Sequence, residues 1–138
     1  MNQQEIEALV TGLENVQQSE AYGYLFFFYS DDHMTPFLTI ANSDNDYDSV
    51  SNLNREGVFR INLGVRPETF AKMFAVSGDD DSSCTDYTQL NTFLPHPDYA
   101  KQHFVCILNP AGENESRIRT LIQEAWELAR QRYERRHA

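Results

Sequence analysis

A short apolar run followed by a long helical pattern limits most strongly what this chain can fold into. Residues 104–108 read Phe-Val-Cys-Ile-Leu, and the next turn contains Pro110 and Gly112, which stop a strand. Apolar residues then recur at steps of three and four, the period of one helix face: Ile118, Leu121, Ile122, Ala125, Leu128, Ala129 and Tyr133. This face must be buried, so we predict a strand that feeds a long amphipathic helix.

The ends of this helix carry signals of their own. Asn114 or Ser116 can cap its start by accepting a hydrogen bond from a free backbone amide. Arg135 and Arg136 complement the negative end of its dipole. The pattern therefore predicts both ends of the helix.

The N-terminal part predicts one helix and two strands. Residues 3–13 hold apolar residues at helical spacing, and a polar passage follows Asn15. Residues 22–29 read Tyr-Gly-Tyr-Leu-Phe-Phe-Phe-Tyr, a run too aromatic and too short for anything but a strand. A polar turn at residues 30–33 leads to a second strand at residues 36–41, which predicts an antiparallel pair.

The middle of the chain is less regular. Residues 42–56 are rich in Asn, Asp and Ser and predict a long ordered loop. Residues 58–63 alternate apolar and polar, the pattern of a strand with one wet face, and Pro67 opens a short helix. Residues 78–83 predict a solvated segment that interrupts regular secondary structure, a breaker. Residues 87–94 are ambiguous between a strand and a helical turn.

The order of these elements defines the fold class. It predicts an α+β fold, in which a mainly antiparallel sheet carries an N-terminal helix, a short middle helix and a long C-terminal helix packed on it. The length of 138 residues suits one domain, and neither a repeat nor a linker divides the chain. We therefore expect residues 1–138 to form a single α+β domain.

Composition limits the classes of binding partner and the cellular compartment that we expect for this protein. The formal net charge of -10 argues against a nucleic-acid partner, which attracts clustered Lys and Arg. The sequence has neither a leader pattern nor an apolar run long enough to span a bilayer, so we expect a cytoplasmic protein that binds no membrane. Cys84 and Cys106 are predicted to be free thiols.

The oligomeric state is open between monomer and homodimer, because an exposed edge strand can pair with a second copy.

Two blocks of the chain resemble an uncharacterised family of small bacterial proteins, some of them encoded near antibiotic biosynthesis genes. These blocks are residues 51–65 with residues 68–70, and residues 94–100. The layout is also similar to the MmcQ/YjbR, or double-wing, superfamily. Phe104 and residues 125–128, Ala-Trp-Glu-Leu, occupy the places of a strand aromatic, usually Trp, and of a motif in the last helix. These resemblances imply a fold and no transferable activity.

Acidic residues in the middle loop partly match a calcium-binding loop. Asp44, Asp46 and Asp48 take its first, third and fifth places, but Ser49 replaces the required Gly and Arg55 replaces the Glu of the twelfth place. We therefore predict a solvated acidic loop. Other candidate ligands lack the close spacing of a zinc site, so we predict neither a metal nor a cofactor: Asp31, Asp32, His33, His96, His103 and Cys106.

Catalytic motifs are missing as well. The sequence has no Gly-x-Ser-x-Gly elbow, no glycine-rich phosphate loop and no HExxH helix. Acidic neighbours disfavour the thiolate of Cys84 and lower its reactivity. We predict no catalytic residue, and the balance is against an enzyme.

Arg60 and Asn62 stand out because they share one face of an otherwise apolar strand. On a covered face they need partners, and Arg60 could bind a carboxylate of a ligand or of Asp98. On an open face they are ordinary surface residues, which is the interpretation we favour. Together with His96 and Tyr99 they form the candidate ligand-binding set.

Two functions fit these observations. The first is a non-catalytic domain that binds a protein or a small ligand across its sheet or in the groove beside the last helix. The second is a small enzyme or auxiliary ligand-binding protein of bacterial secondary metabolism that uses a pocket near Arg60, Asn62 and His96. A pocket enclosing these side chains would favour the second function, and a flat, wet face around Arg60 would favour the first.

Overall fold

The computed structural model describes residues 1–46, 48–74 and 85–137 and confirms the α+β class. Within these residues, six strands form one sheet in the order β1-β2-β3-β4-β6-β5, and all neighbouring pairs are antiparallel. The elements are α1 (Gln3–Thr11), β1 (Val16–Ala21), β2 (Tyr24–Tyr29), β3 (Leu38–Ala41), β4 (Arg60–Gly64), α2 (Pro67–Met73), β5 (Leu94–Pro95), a 3-10 helix (Ala100–Gln102), β6 (Phe104–Leu108) and α3 (Glu113–Arg136). None of the described helices has the length and apolarity that crossing a bilayer requires.

The main core lies between the sheet and the α-helices, on the side that we call the helix face. The buried stripe of α3 confirms the predicted amphipathic helix and consists of Ile118, Leu121, Ile122, Ala125 and Ala129. From α1, Ile6 and Val10 enter the same core. The strands supply every second residue, because side chains alternate across a sheet: Leu25, Phe27, Tyr29, Leu38, Ile40, Ile61, Leu63, Val105 and Ile107.

The start of α1 is fixed by a capping box. The Asn2 side chain accepts a hydrogen bond from the Glu5 amide at 2.9 Å, and the Glu5 carboxylate accepts one from the Asn2 amide at 3.2 Å. The expected cap of α3 is wrong, because α3 begins after Gly112 without a side-chain cap. Asn114 instead donates to the carbonyl of Asn91 at 3.1 Å, so its side-chain amide joins the first turn of α3 to the loop at Asn91.

The polar passage after Asn15 is a strand, contrary to our expectation. β1 pairs with β2 along its whole length, from Val16 opposite Tyr29 to Ala21 opposite Tyr24. An edge strand with solvent on both sides has no need of apolar alternation, and the four central residues of β1 are all exposed. Periodicity alone could therefore not reveal it.

The predicted wet face of β4 is also wrong. Arg60, Ile61, Asn62 and Leu63 are all buried, so both faces of this strand are covered. The side opposite the helices, which we call the loop face, lies under residues 42–58, which we call the 42–58 loop, and under residues 85–99. Leu53 of the 42–58 loop, for example, packs in a second small core with Ala41 and Leu108. The described part of this loop contains no helix and only an isolated bridge between Asn45 and Asp48.

The segment that was ambiguous between strand and helix forms neither over most of its length. Residues 87–93 contain a turn and a single bridge from Leu90 to Leu108. β5 follows with two residues, one of which is Pro95, and this proline cannot donate to a further strand. The predicted breaker at residues 78–83 and Cys84 lie outside the described residues.

Candidate functional site

The loop face of the sheet carries a row of polar side chains across its central strands. Strand register places Thr39 of β3 opposite Asn62 of β4, and Asn62 opposite Cys106 of β6. The neighbouring row contains Arg60 between Ala41 and Leu108. Three adjacent strands thus bring polar groups together beneath the 42–58 loop.

Arg60 is the centre of this cluster. Its Nε donates to Asn62 Oδ1 at 2.9 Å, and its Nη1 donates to Ser51 Oγ at 3.0 Å and to Asp48 Oδ1 at 3.2 Å. Its Nη2 donates to the second oxygen of Asp48, which completes a two-pronged ion pair. All three guanidinium nitrogens therefore have protein acceptors, and two of the three accepting residues, Asp48 and Ser51, belong to the 42–58 loop.

The network continues to both sides of Arg60. Asn62 Nδ2 donates to Thr39 Oγ1 at 3.0 Å. On the other side the Tyr24 hydroxyl donates to Asp48 Oδ2. The chain of hydrogen bonds thus joins β2, β3 and β4 to one loop carboxylate, and we call these residues the Arg60 network: Thr39, Asn62, Arg60, Ser51, Asp48 and Tyr24.

Burial and charge shift the pKa values in this network. Burial alone would raise the pKa of Asp48, but hydrogen bonds from Arg60 and Tyr24 and the Arg60 charge outweigh it, so this pKa lies below its usual value of 3.8. The Arg60 pKa is raised, because its bonds to Asp48 outweigh the opposing effect of burial. Burial, followed by the hydrogen bond to Asp48, raises the pKa of Tyr24 to about 12. At neutral pH the network therefore holds one arginine cation, one carboxylate and a protonated tyrosine.

The open-face interpretation of Arg60 is wrong. Arg60 is 0% exposed and Asn62 is 2% exposed, so both lie beneath the protein surface. The carboxylate that binds Arg60 is Asp48, rather than Asp98, which is exposed. Arg60 has no exposed area, so no water molecule contacts its side chain. We expected either an accessible pocket or a wet face around Arg60, depending on which of the two functions was correct. Neither arrangement describes Arg60.

His96 and Tyr99 form a second pair on the same side of the sheet. Their rings lie 5.0 Å apart; His96 is 5% exposed and Tyr99 is 55% exposed. The Asp98 and Tyr99 amides both donate to His96 Nδ1, at 3.0 and 3.1 Å, so in the neutral ring the proton is on Nε2. Burial and then the Arg60 charge lower the His96 pKa to about 4, so the ring is uncharged at neutral pH.

Cys106 lies in the polar row but has little chemical reactivity. The thiol is free, 0% exposed, and burial raises its pKa to about 12. Because the thiolate is the reactive form, Cys106 is a poor nucleophile in the folded protein. In the sheet it lies between Asn62 of β4 and Leu94 of β5, as a small buried side chain of β6.

The remaining candidate ligands have other partners. Asp44 Oδ1 accepts from the Leu53 amide at 2.8 Å, so this carboxylate shapes the loop, and Asp48 is committed to Arg60. His33 stacks on Phe28 at 4.4 Å and its Nε2 lies 2.6 Å from Gln17 Oε1. Among the described residues, no group of three or more His, Cys, Asp and Glu side chains is placed to hold a metal ion.

The four predicted site residues therefore form two pairs, Arg60 with Asn62 and His96 with Tyr99, and no hydrogen bond joins the pairs among the contacts described above. Sequence reasoning missed four members of the Arg60 network: Thr39, Asp48, Ser51 and Tyr24. A usable signal existed for Asp48, because a buried arginine needs a carboxylate and the nearest acidic run precedes β4. The partial match of that run to a calcium-binding loop hid this role.

Comparisons with known proteins address the fold and the family. The fold is similar to the crystal structure of a protein from Pseudomonas syringae determined by the Northeast Structural Genomics Consortium. The TM-score is 0.60 at 17% identity, over 94% of this chain and 99% of that chain, which is a likeness of fold alone. No curated protein matches the chain. The family model of DUF6194, described as a family of unknown function, matches residues 1–138, and the chain therefore belongs to the DUF6194 family.

Proposed function

We propose that this protein is a non-catalytic binding domain of the bacterial cytoplasm, and that it binds a protein partner through the surface of the 42–58 loop. One observation carries the proposal: a buried ion pair, Arg60 with Asp48, fixes a long loop whose described residues form no helix. Loops held in place by a rigid sheet are common binding surfaces. A loop that is already ordered loses less entropy when a partner binds.

The chemistry of the Arg60 network favours binding over catalysis. A substrate that engaged Arg60 would have to displace Asp48, whose two oxygens are already bound by the guanidinium. His96 is neutral and its Nδ1 is occupied by two backbone amides. A general acid or base needs access to the substrate and a pKa near the working pH. These side chains therefore suit an architectural role.

Exposed side chains beside the loop suit a protein partner. Tyr22 is 79% exposed at the tip of the hairpin that joins β1 and β2, and Asn45 of the loop donates to the Tyr22 carbonyl at 3.2 Å. Val50 is 48% exposed. Tyr22 has φ of +55°, a left-handed conformation that is costly for a bulky residue. The two-residue turn of Tyr22 and Gly23 requires this conformation, and the exposed Tyr22 ring can serve as an aromatic anchor for a partner.

Charge indicates which kind of partner fits. The chain has a net charge of -10, and the same loop carries the exposed residues Asp46 and Glu56. A partner segment rich in Lys and Arg with an apolar anchor would match this surface, whereas nucleic acid would be repelled. The proposal keeps the double-wing likeness as one of fold, supported by the order of the elements. It places the protein in the cytoplasm, where a free thiol such as Cys106 stays reduced.

Fluorescence anisotropy with labelled Lys- and Arg-rich peptides tests this proposal, with neutral and Glu-rich peptides as references. We expect salt-dependent binding of the basic peptides that Tyr22→Ala weakens roughly tenfold. Tyr99→Ala is the matched control, because it removes another exposed tyrosine without a change of charge. If Tyr22→Ala has no effect while Tyr99→Ala does, the binding surface lies at the His96 and Tyr99 pair and the proposal is wrong.

A thermal-shift screen addresses the competing function. A small ligand that binds only the native state raises the melting temperature, so nucleotides, carboxylates and metal ions serve as probes. A shift that persists in Tyr22→Ala but disappears in His96→Gln would support the enzyme or auxiliary ligand-binding alternative. No shift with any probe, together with peptide binding, is the result expected here.

A further inference from the structure

The two edges of the sheet differ in a way that points to self-association. One edge is β5, which has two residues and contains Pro95. The other edge is β1, which has six residues, Val16–Ala21, and contains neither Pro nor Lys. Short length, proline and lysine are the usual devices that stop an edge strand from pairing with another chain. These devices protect β5 and are missing from β1.

The side chains of β1 place a single negative charge near one end of this edge. Register with β2 places Val16, Gln18 and Glu20 on the helix face, because Gln18 is opposite Phe27 of the core. Glu20 is exposed and has no ion-pair partner among the described residues. It is also the one charged residue in β1, so the edge itself carries little of the net charge of -10.

A guanidinium lies near the opposite end of β1, on the same face. The Trp126 indole N–H donates to the Glu14 carbonyl at 2.8 Å, two residues before β1 begins. Arg130 lies over the Trp126 ring, with its Cζ 5.4 Å from the ring centroid. Its Nε is buried without a hydrogen-bond partner among the described residues, and its Nη1 is 3.7 Å from Glu134. On the helix face the Val16 end of the edge thus carries the Arg130 guanidinium, which also faces Glu134, with the exposed Glu14 nearby, and the other end carries Glu20.

We propose that two copies of this chain pair through their β1 edges, antiparallel and about a two-fold axis normal to the sheet. Such an axis keeps both helix faces on the same side, and with Gln18 opposite Gln18 of the second copy it places Val16 opposite Glu20 of that copy. Each Glu20 then lies beside the Trp126 and Arg130 end of its neighbour. An isologous contact of this kind closes at two copies, and the protected β5 edges stop further growth. The paired residues, from Val16 to Glu20, lie outside the 42–58 loop, so the dimer does not rest on the proposed function.

Sedimentation velocity over a concentration series of the full chain tests this dimer. We expect a reversible monomer–dimer equilibrium that Glu20→Arg or Arg130→Glu weakens roughly tenfold and that the double variant Glu20→Arg/Arg130→Glu restores. Gln18→Lys places two lysines opposite each other on the axis and should also weaken the dimer. Gln4→Lys, the same change on the exposed face of α1, should not.

Cysteine cross-linking provides a second measurement that depends on register. In a Cys84→Ser background, Gln18→Cys should form an intermolecular disulfide under mild oxidation, because the two-fold axis passes beside this position. Faster cross-linking through Ser19→Cys would overturn the register that places Glu20 opposite Val16. A wild-type chain that remains monomeric at every concentration would overturn the proposal itself.

Discussion

The Arg60 network makes a quantitative prediction about stability. Asp48→Ala removes the carboxylate and leaves the Arg60 cation 0% exposed and without a counter-charge. An arginine cannot lose its proton to escape this penalty. Breaking a buried pair in this way costs about 3–5 kcal/mol, a large part of the roughly 5–15 kcal/mol that stabilises a typical domain. We expect Asp48→Ala to remain folded with a strongly reduced free energy of unfolding.

Arg60→Met removes the other member of the ion pair. Its free energy of unfolding should depend on pH in a different way from that of Asp48→Ala. In the wild type the Asp48 pKa is lowered below 3.8, so its stabilising contribution is present above that pH and is lost as the pH falls through the folded-state pKa. Without Arg60, burial dominates and raises this pKa. The folded state then favours the protonated form of Asp48. The contribution of Asp48 to the free energy of unfolding therefore changes sign, and stability falls as the pH rises. The deficit of Arg60→Met should therefore shrink between about pH 7 and about pH 4.5, while that of Asp48→Ala stays constant.

Urea denaturation followed by circular dichroism measures both effects, with the double variant Asp48→Leu/Arg60→Met as the control. The double variant should lose less than the sum of the single losses, because neither charge is left unpaired. A loss below about 1 kcal/mol for Asp48→Ala would refute the reasoning, since the pair would then behave like one at the surface.

Four further predictions concern single residues. The His96 pKa of about 4 lies below the usual 6.5, so the unfolding free energy should fall by about 3 kcal/mol as the pH drops from 6.5 to 4, a slope that His96→Gln removes in urea titrations. With the other cysteine removed, the Cys106 thiol should react with a thiol reagent at the rate of unfolding. Gly64→Ala should destabilise by about 1–3 kcal/mol in chemical denaturation, because its Cβ would lie 3.0 Å from the Phe104 ring, whose movement is restricted by its packing against His96 and Tyr99. Tyr22→Gly should stabilise by about 1 kcal/mol in the same assay, because it relieves the left-handed conformation.

The core on the helix face was predictable because its signals are local. The stripe of α3 is visible within one stretch of sequence, and Ile118, Leu121 and Ala129 are buried as expected. β6 and the β2–β3 hairpin were found for a similar reason, since a short apolar run bounded by turn residues specifies a strand without reference to distant residues. Each of these elements can be argued from its own residues.

The loop face was not predictable in the same way. Whether Arg60 is buried depends on residues 42–58, whose sequence resembles a solvated loop and whose contacts with β4 are tertiary. Tyr24 joins the network from a strand 24 positions away from Asp48. A pattern confined to β4 cannot distinguish a wet face from one covered by distant polar partners, and this is why the open-face interpretation failed.

A buried ion pair is a weak source of stability, because a well-packed apolar replacement often does as well or better. We infer that the Arg60 network does something that an apolar replacement could not do. Its hydrogen bonds hold Asp48 and Ser51 of the 42–58 loop at defined positions, whereas apolar contacts would leave the loop several arrangements of similar energy. Asp48→Leu/Arg60→Met should thus keep much of its stability and yet lose affinity for the basic peptides. If that variant bound them as tightly as the wild type, the network would have no part in shaping the binding surface.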